Sequence, residues 1–566
     1  MMSEVQTKKE RLSIYLIKDA KLPDEQLVKT DRTNQPIKLD TSSGDAILYV
    51  KAGSPPKLPE WVAFLFPKHD VPDNYFRGNH SDGAVLVFRD NEVVFALSFG
   101  TGHHLINRDL VARDFGLRVT LNSVDPDKLR SLDKASYEDN PLNTRSQSPK
   151  DADIFDLQID TENDMVYALT GASTVDLFGD RVTGRDALTI MPESTLDNLP
   201  QILREAHKRF LAKPPQKFAF VEDVGRVRDP ETEQILNWEL SDLLAQDWLP
   251  ANVWVGEPEI VDWEAQTGYS FDRGKKGVVH PTLQLDKLLD HMVHRGIKPT
   301  EEELRALKIH VIDANYLAVK QWSAYQCLYA EISMGEQVFI LRNGAWHVVS
   351  DDFVARVDKA LADVEIDTTA MPVYAHEDEG RYNESCAAPG SGYELLDRKM
   401  VGIGGPNDKI EFCDLVRDGR DLIHVKVYRS SATLSHLFAQ GSVSAQTFLR
   451  DSEFRKQLNV RLPASIKLVD PSVRPEPKTY RVIYAIATSK SLPFELPFFA
   501  KVTLKNAVAD LRMIGFTVAL SRIDIDPVFL KTSLCKPSSA GVKRAPKTAK
   551  KPRRPDDWPS PPAANI

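Results

Sequence analysis

Residues 408–449 read DKIEFCDLVRDGRDLIHVKVYRSSATLSHLFAQGSVSAQTFL. An apolar strand from Ile410 to Val416 carries Asp414, a polar turn runs from Arg417 to Asp421, and a second strand, Leu422 to Tyr428, carries His424 and Lys426. His424 and Lys426 are two apart and share a face, with Ile423 and Val425 on the other, so the pair can face Asp414 across the hairpin. A carboxylate set among Phe412, Cys413, Leu415 and Val416 is costly to bury unless it is paired or bound to a metal, which makes Asp414 the first-ranked ligand. Leu434, Leu437, Phe438, Ala445, Phe448 and Leu449 then follow helical spacing, while Thr433, His436, Gln440, Ser444 and Thr447 recur on a different side.

Acid strand, lysine strand and helix form a layout suited to metal-assisted phosphodiester hydrolysis. A hard divalent ion selects converging oxygen ligands. It polarises the phosphate and activates a water, and a lysine beside it stabilises developing phosphate charge or orients that water. The stretch resembles the PD-(D/E)xK nuclease superfamily, particularly Mrr-like and RecB-like members, in which an acidic strand residue, an (E/Q)xK strand and a helix glutamine surround the metal. The resemblance covers roughly residues 376–460 and implies a C-terminal α/β restriction-endonuclease-like core. Carried over, Asp414 matches the acid, Lys426 the lysine, Gln440 the helix glutamine, and Glu384 the acid that some members place on the first core helix.

The departure is His424, which stands where Glu, Asp or Gln is usual. The implied catalytic set is Asp414, His424, Lys426, Gln440 and Glu384, with Asp414, His424 and Glu384 holding Mg²⁺ or Mn²⁺. Imidazole suits Mn²⁺ better than Mg²⁺, so either metal preference or activity should shift. Glu411, three residues from Asp414 on the expected strand, should point away; Asp397 is a further possible donor.

Three more segments, FGTGHHL (99–105), DLIHVKVYRSSATLSHLFAQGSVSA (421–445) and LPFFAKVTLKNAVADL (496–511), resemble a sporadically distributed bacterial family linked to mobile elements and phage defence. Together the resemblances imply a metal-dependent nuclease, acting on DNA more than RNA, in anti-phage defence. The alternative is a non-catalytic nucleic-acid-binding or assembly protein with a degenerate nuclease fold. Nucleic acid, a phage or defence-system protein and further copies of the chain are the implied partners.

At 566 residues the chain is too long for a single hydrophobic core. Its fold class reads as α+β multidomain: a β-rich N-terminal domain over 1–170, an α+β middle region over 171–370, the α/β domain over 371–526 and a basic tail over 527–566. Hydrophobic residues make up 42% and charged residues 27%, which excludes a disordered or fibrous chain. No apolar run reaches the ~20 residues a membrane span needs, and the start, MMSEVQTKKERL, is charged where a signal peptide is apolar. A cytoplasmic protein without membrane contact is the expectation. Cys327, Cys386, Cys413 and Cys535 lack paired spacing and read as reduced thiols.

The net charge of −9 confines any nucleic-acid contact to local patches. One is the tail, expected to be disordered, where GVKRAPKTAKKPRRP (541–555) carries Lys543, Arg544, Lys547, Lys550, Lys551, Arg553 and Arg554. Nearer the N-terminus, 84–100 reads as a hairpin. The Gly100-Thr-Gly-His-His104 stretch reads as a turn needing positive φ rather than a phosphate loop. Residues 107–118 suggest a short helix ending at Gly116, then a strand, and the polar run from Ser131 to Asp153 an exposed loop with Arg145 as a possible phosphate contact.

Overall fold

The structure is a computed structural model that describes residues 8–53, 82–136, 142–161, 164–246, 248–261, 266–272, 277–314, 316–402, 409–429 and 431–529. It is a mixed α+β protein built on several sheets.

The first sheet has ten strands, antiparallel throughout. Its hairpin Gly83–Asp90 and Val93–Gly100 turns at Asn91, which adopts φ +54° as a two-residue turn requires. Strands Arg181–Gly184 and Leu188–Ile190 complete the sheet, so its chain segment runs past residue 170. Gly116 sits inside a helix, Phe115–Leu121, instead of ending one. A Cβ there would collide with the Ala187 carbonyl, so close packing of the helix on the sheet explains this glycine. The expected loop from Ser131 to Asp153 belongs to two long strands, Val124–Ser136 and Asn143–Ala152. Arg145 is engaged there by Asp133, in two bonds of 2.7 Å. Alternating polar residues on a sheet with a solvated face look like a loop in sequence.

The middle region holds a five-stranded and a three-stranded antiparallel sheet, with helices Pro230–Ala245 and Leu285–Arg295 sharing their core. It is tied to the C-terminal domain by a buried carboxylate. Glu331, on strand Leu328–Met334, accepts the backbone N–H groups of Phe498 (2.5 Å) and Phe499 (3.4 Å) at the start of a helix in that domain. Glu331→Ala strands two buried donors at a positive helix end, so a loss of about 2–3 kcal/mol is expected. Denaturant midpoints would measure it, and an unchanged midpoint would show that water replaces the carboxylate.

The C-terminal domain runs α1 (Glu379–Cys386), β1 (Tyr393–Leu395), β2 (Leu415–Arg417), β3 (Asp421–Val427), α2 (Ser431–Arg450), α3 (Ser452–Arg461), β4 (Arg481–Ala487), α4 (Phe498–Met513) and β5 (Thr517–Ile523). β1, β2 and β3 form an antiparallel meander, and β4 and β5 follow in parallel. The short strand Glu365–Ile366 closes the far edge. Both faces of β3 are covered, which is why it reads as a nearly continuous apolar run. Leu422 packs with Leu434, Leu437 and Phe438 of α2, whereas Ile423, Val425 and Val427 pack with Tyr382 and Cys386 of α1.

Candidate functional site

β2 pairs with β3 only from Asp421 to Ile423, and beyond that point the two chains part. Carboxylates take over where the ladder stops. The backbone N–H of Asp414 donates to the Ile423 carbonyl at 3.0 Å. Asp414 Oδ2 then accepts the Val425 N–H at 2.6 Å, and Glu379 Oε1 accepts the Val427 N–H at 3.1 Å. Lys426 Nζ donates to Glu379 Oε2 at 2.7 Å. Glu379 is the first residue of α1, whose N-cap Asp378 accepts the Arg381 N–H at 3.0 Å. A helix start thereby fixes the carboxylate at the mouth of the hairpin.

Two further acids converge. The N–H groups of Leu396 and Asp397 both donate to the Asp414 carbonyl at 2.9 Å, and Glu411 accepts from the backbone N–H of Arg398. Ligand oxygens of Asp397, Glu411 and Asp414 lie within 4.8 Å of one another. Glu411 was expected to point away from Asp414. It does not, because residues 411–414 lie between strands and the alternation of a strand does not apply to them. Burial, then the charges of Glu411, Asp397 and Glu379, push the Asp414 carboxyl up to about 8 despite the Val425 hydrogen bond. Burial likewise raises Glu411, with Asp397 adding to the shift. A cation would relieve this crowding, and an all-oxygen donor set fits Mg²⁺ or Mn²⁺.

Gln440 of α2 shares a groove with Glu411. A groove of about 300 Å³ has Met400, Lys409 and Glu411 on one side and His436, Gln440 and Val443 on the other. Glu411 is thus shared between this groove and the acid cluster with Asp397 and Asp414.

His424 and Glu384 do not join them. His424 is 3% exposed, lies 6.1 Å from the Tyr484 ring, and its Nε2 has no hydrogen-bond partner. The face it shares with Leu422 is the one under α2, so it is a core residue and not among the converging ligand groups; the imidazole argument for Mn²⁺ falls with it. Lys426 escapes the same fate because it stands near the end of β3, where its long side chain reaches Glu379. Glu384 is exposed on α1, five residues after Glu379 and so well round the helix from it. Glu379 is the acid the sequence reading missed; the Asp378-Glu379 pair opening a helix was the available signal. Lys543, Arg544, Lys547, Lys550, Lys551, Arg553 and Arg554 lie outside the described residues.

Burial lowers the His424 pKa to about 4. With an unfolded value near 6.5, the unfolded chain binds the extra proton between these values, so stability is full above about 6.5 and falls toward pH 4. The loss is on the order of 3 kcal/mol. His424→Phe is expected to flatten this acid limb, measured by urea midpoints at pH 7 and 4.5; equal slopes for both proteins would refute the assignment.

Fold and site define a multidomain α+β protein with a carboxylate–lysine centre where a C-terminal antiparallel meander opens. The chain belongs to the family described as "Family of unknown function (DUF6119)", whose model matches residues 12–524. Neither a search of curated proteins nor one of solved structures returned a significant match. No helix among the described residues is long and apolar enough to cross a membrane.

Proposed function

We propose that the C-terminal domain is a metal-dependent nuclease with a restriction-endonuclease-like core. The observation that carries this reading is the parting of β2 and β3, where Asp414 and Glu379 accept the freed N–H groups of Val425 and Val427 beside Lys426. The element order α1-β1-β2-β3-α2-β4, with an acid on the first helix, an acid before β2 and a lysine on β3, supports it. Asp397, Glu411 and Asp414 would hold the ion, which when bound supplies Lewis-acid charge and an activated water. Glu379 orients Lys426, whose ammonium would meet a phosphate oxygen. Gln440 and His436, on the groove wall, would contact the nucleotide on the other side.

The test is incubation of the full chain with single- and double-stranded DNA and RNA in Mg²⁺ or Mn²⁺. Cleavage lost on chelation and in Asp414→Ala is expected. The burial of His424, in the position of a usual carboxylate, favours a second reading: a nucleic-acid-binding or assembly protein with a degenerate centre. Tight DNA binding with no cleavage in either metal would establish that reading instead. Preference for DNA, the tail's seven cations as phosphate contacts, and a role in anti-phage defence belong to the proposal; a plaque assay with and without Asp414→Ala tests the last.

A further inference from the structure

A second cavity, of about 660 Å³, lies between the N-terminal sheet and the middle region, far along the chain from the carboxylate centre. Its wall carries six cations, Arg108, Arg113, Arg185, Arg226, Lys320 and Arg342, and three acids, Asp114, Asp186 and Glu259. Two of the acids are already engaged: Asp114 pairs with Arg228 at 2.8 Å, and Glu259 takes Lys320 at 2.8 Å and Trp322 Nε1 at 2.7 Å. The guanidinium groups of Arg108 and Arg226 have neither an ion pair nor a hydrogen bond among the described residues. Arg342 spends a donor on the Ser136 carbonyl (3.1 Å), which leaves its charge uncompensated, whereas Arg113 pairs with Asp109 at 3.6 Å and Arg185 with Asp133.

The wall also holds buried polar atoms without partners. The Tyr167 hydroxyl and His347 Nδ1 are both buried and unbonded, although buried polar groups are as a rule satisfied. Both residues line this cavity, and the Arg185 guanidinium sits 5.2 Å over the Tyr167 ring. Burial depresses the pKa of Arg226 although the charges of Asp114, Asp186 and Glu233 act to raise it, so the guanidinium is held out of water with no acid in direct contact. Excess cations, stranded donors and a recess of ligand size together describe a site for a compact polyanion.

We propose that this cavity binds a nucleoside di- or triphosphate. Phosphate oxygens would take the unpaired Arg226 and Arg108 and the charge of Arg342, since a guanidinium matches phosphate geometry with paired donors. Trp322 and Tyr167 supply aromatic surface for the base, and Asn143 and Gln321 amides for its edge. A walled recess of this volume holds one nucleotide rather than a polynucleotide. The inference is independent of the nuclease reading, because none of these residues belongs to the carboxylate centre.

The test is isothermal titration of the full chain, in chelator, with ATP, GTP, pyrophosphate, adenosine and a single-stranded oligonucleotide. A nucleoside triphosphate is expected to bind and to raise Tm, with at least tenfold loss of affinity in Arg226→Ala. Tyr167→Phe keeps the ring and is expected to weaken binding severalfold, and Asp414→Ala is expected to leave nucleotide affinity unchanged. Thermal melts of each variant without ligand show that folding is intact. No binding at millimolar nucleotide, or binding equal in wild type and both cavity variants, overturns the proposal. So does pyrophosphate binding as tightly as ATP, which would make the cavity an anion site without base recognition, or Arg226-dependent binding of the oligonucleotide alone.

Discussion

Asp414→Asn is expected to reduce the proposed metal-dependent cleavage by about 10³-fold or more while leaving the protein at least as stable as the wild type in chelator. The variant keeps an oxygen to accept the Val425 N–H, so the backbone join at the mouth of the hairpin survives. Above about pH 8, where Asp414 ionises, it removes one charge from three carboxylates whose oxygens lie within 4.8 Å. The sign with pH follows. The wild-type carboxyl is raised from about 3.8 to about 8, so its favourable contribution is complete below the unfolded value and is lost as pH rises through 8; the Asn variant has no such loss. The gap in Tm should therefore widen from pH 6 to pH 9 in the variant's favour. Lys426→Ala, which removes a positioned donor, is expected to cost about 10²–10³-fold in rate. Single-turnover cleavage and thermal melts decide the matter: a variant that loses both activity and stability would make Asp414 a structural acid.

The second large effect concerns the other acid of the hairpin. Asp421→Ala is expected to destabilise the chain by about 3–5 kcal/mol, since it removes the carboxylate that buried Arg417 and half-buried Arg481 share. Asp421 is 1% exposed and lies 2.6 Å from Arg417 and 2.9 Å from Arg481. Asp367 joins from outside the hairpin, 3.0 Å from Arg417 and 3.6 Å from Arg481, and Arg481 also pairs with Glu365. The network ties the turn before β3 to the start of β4 and to the segment that closes the sheet. Burial alone would raise the Asp421 pKa; hydrogen bonds from Arg481 and Arg417 outweigh it and hold the carboxyl below its usual value. Its contribution is thus present above about pH 3.8 and lost as pH falls through the depressed value. Urea midpoints at pH 7 should show the full loss, with wild type and variant converging in strong acid; a loss under ~1 kcal/mol would mean that Asp367 alone satisfies both arginines.

The two acids are seven residues apart and differ in purpose because they differ in neighbours: Asp421 meets arginines, and Asp414 meets other carboxylates. Nothing in their local sequence separates them. An ordinary hairpin would have paired Asp414 with Lys426, and the structure gives that lysine to Glu379 instead.

Alternation, turn residues and helical spacing determined the hairpin at 84–100 and the order strand, turn, strand, helix over 410–450. Those features are set within a few residues of chain, by backbone geometry and by which side chains repeat on one face. Tertiary structure decided the rest. Strand parity says that His424 and Lys426 share a face, but only the helix laid across that face buries His424 and leaves the strand's end open to Lys426. Glu379, Asp397 and Glu411 converge because a helix start and two irregular segments meet the gap left by β2. Such a meeting depends on where a ladder stops and on hydrogen bonds between segments up to 48 residues apart, which no local periodicity encodes.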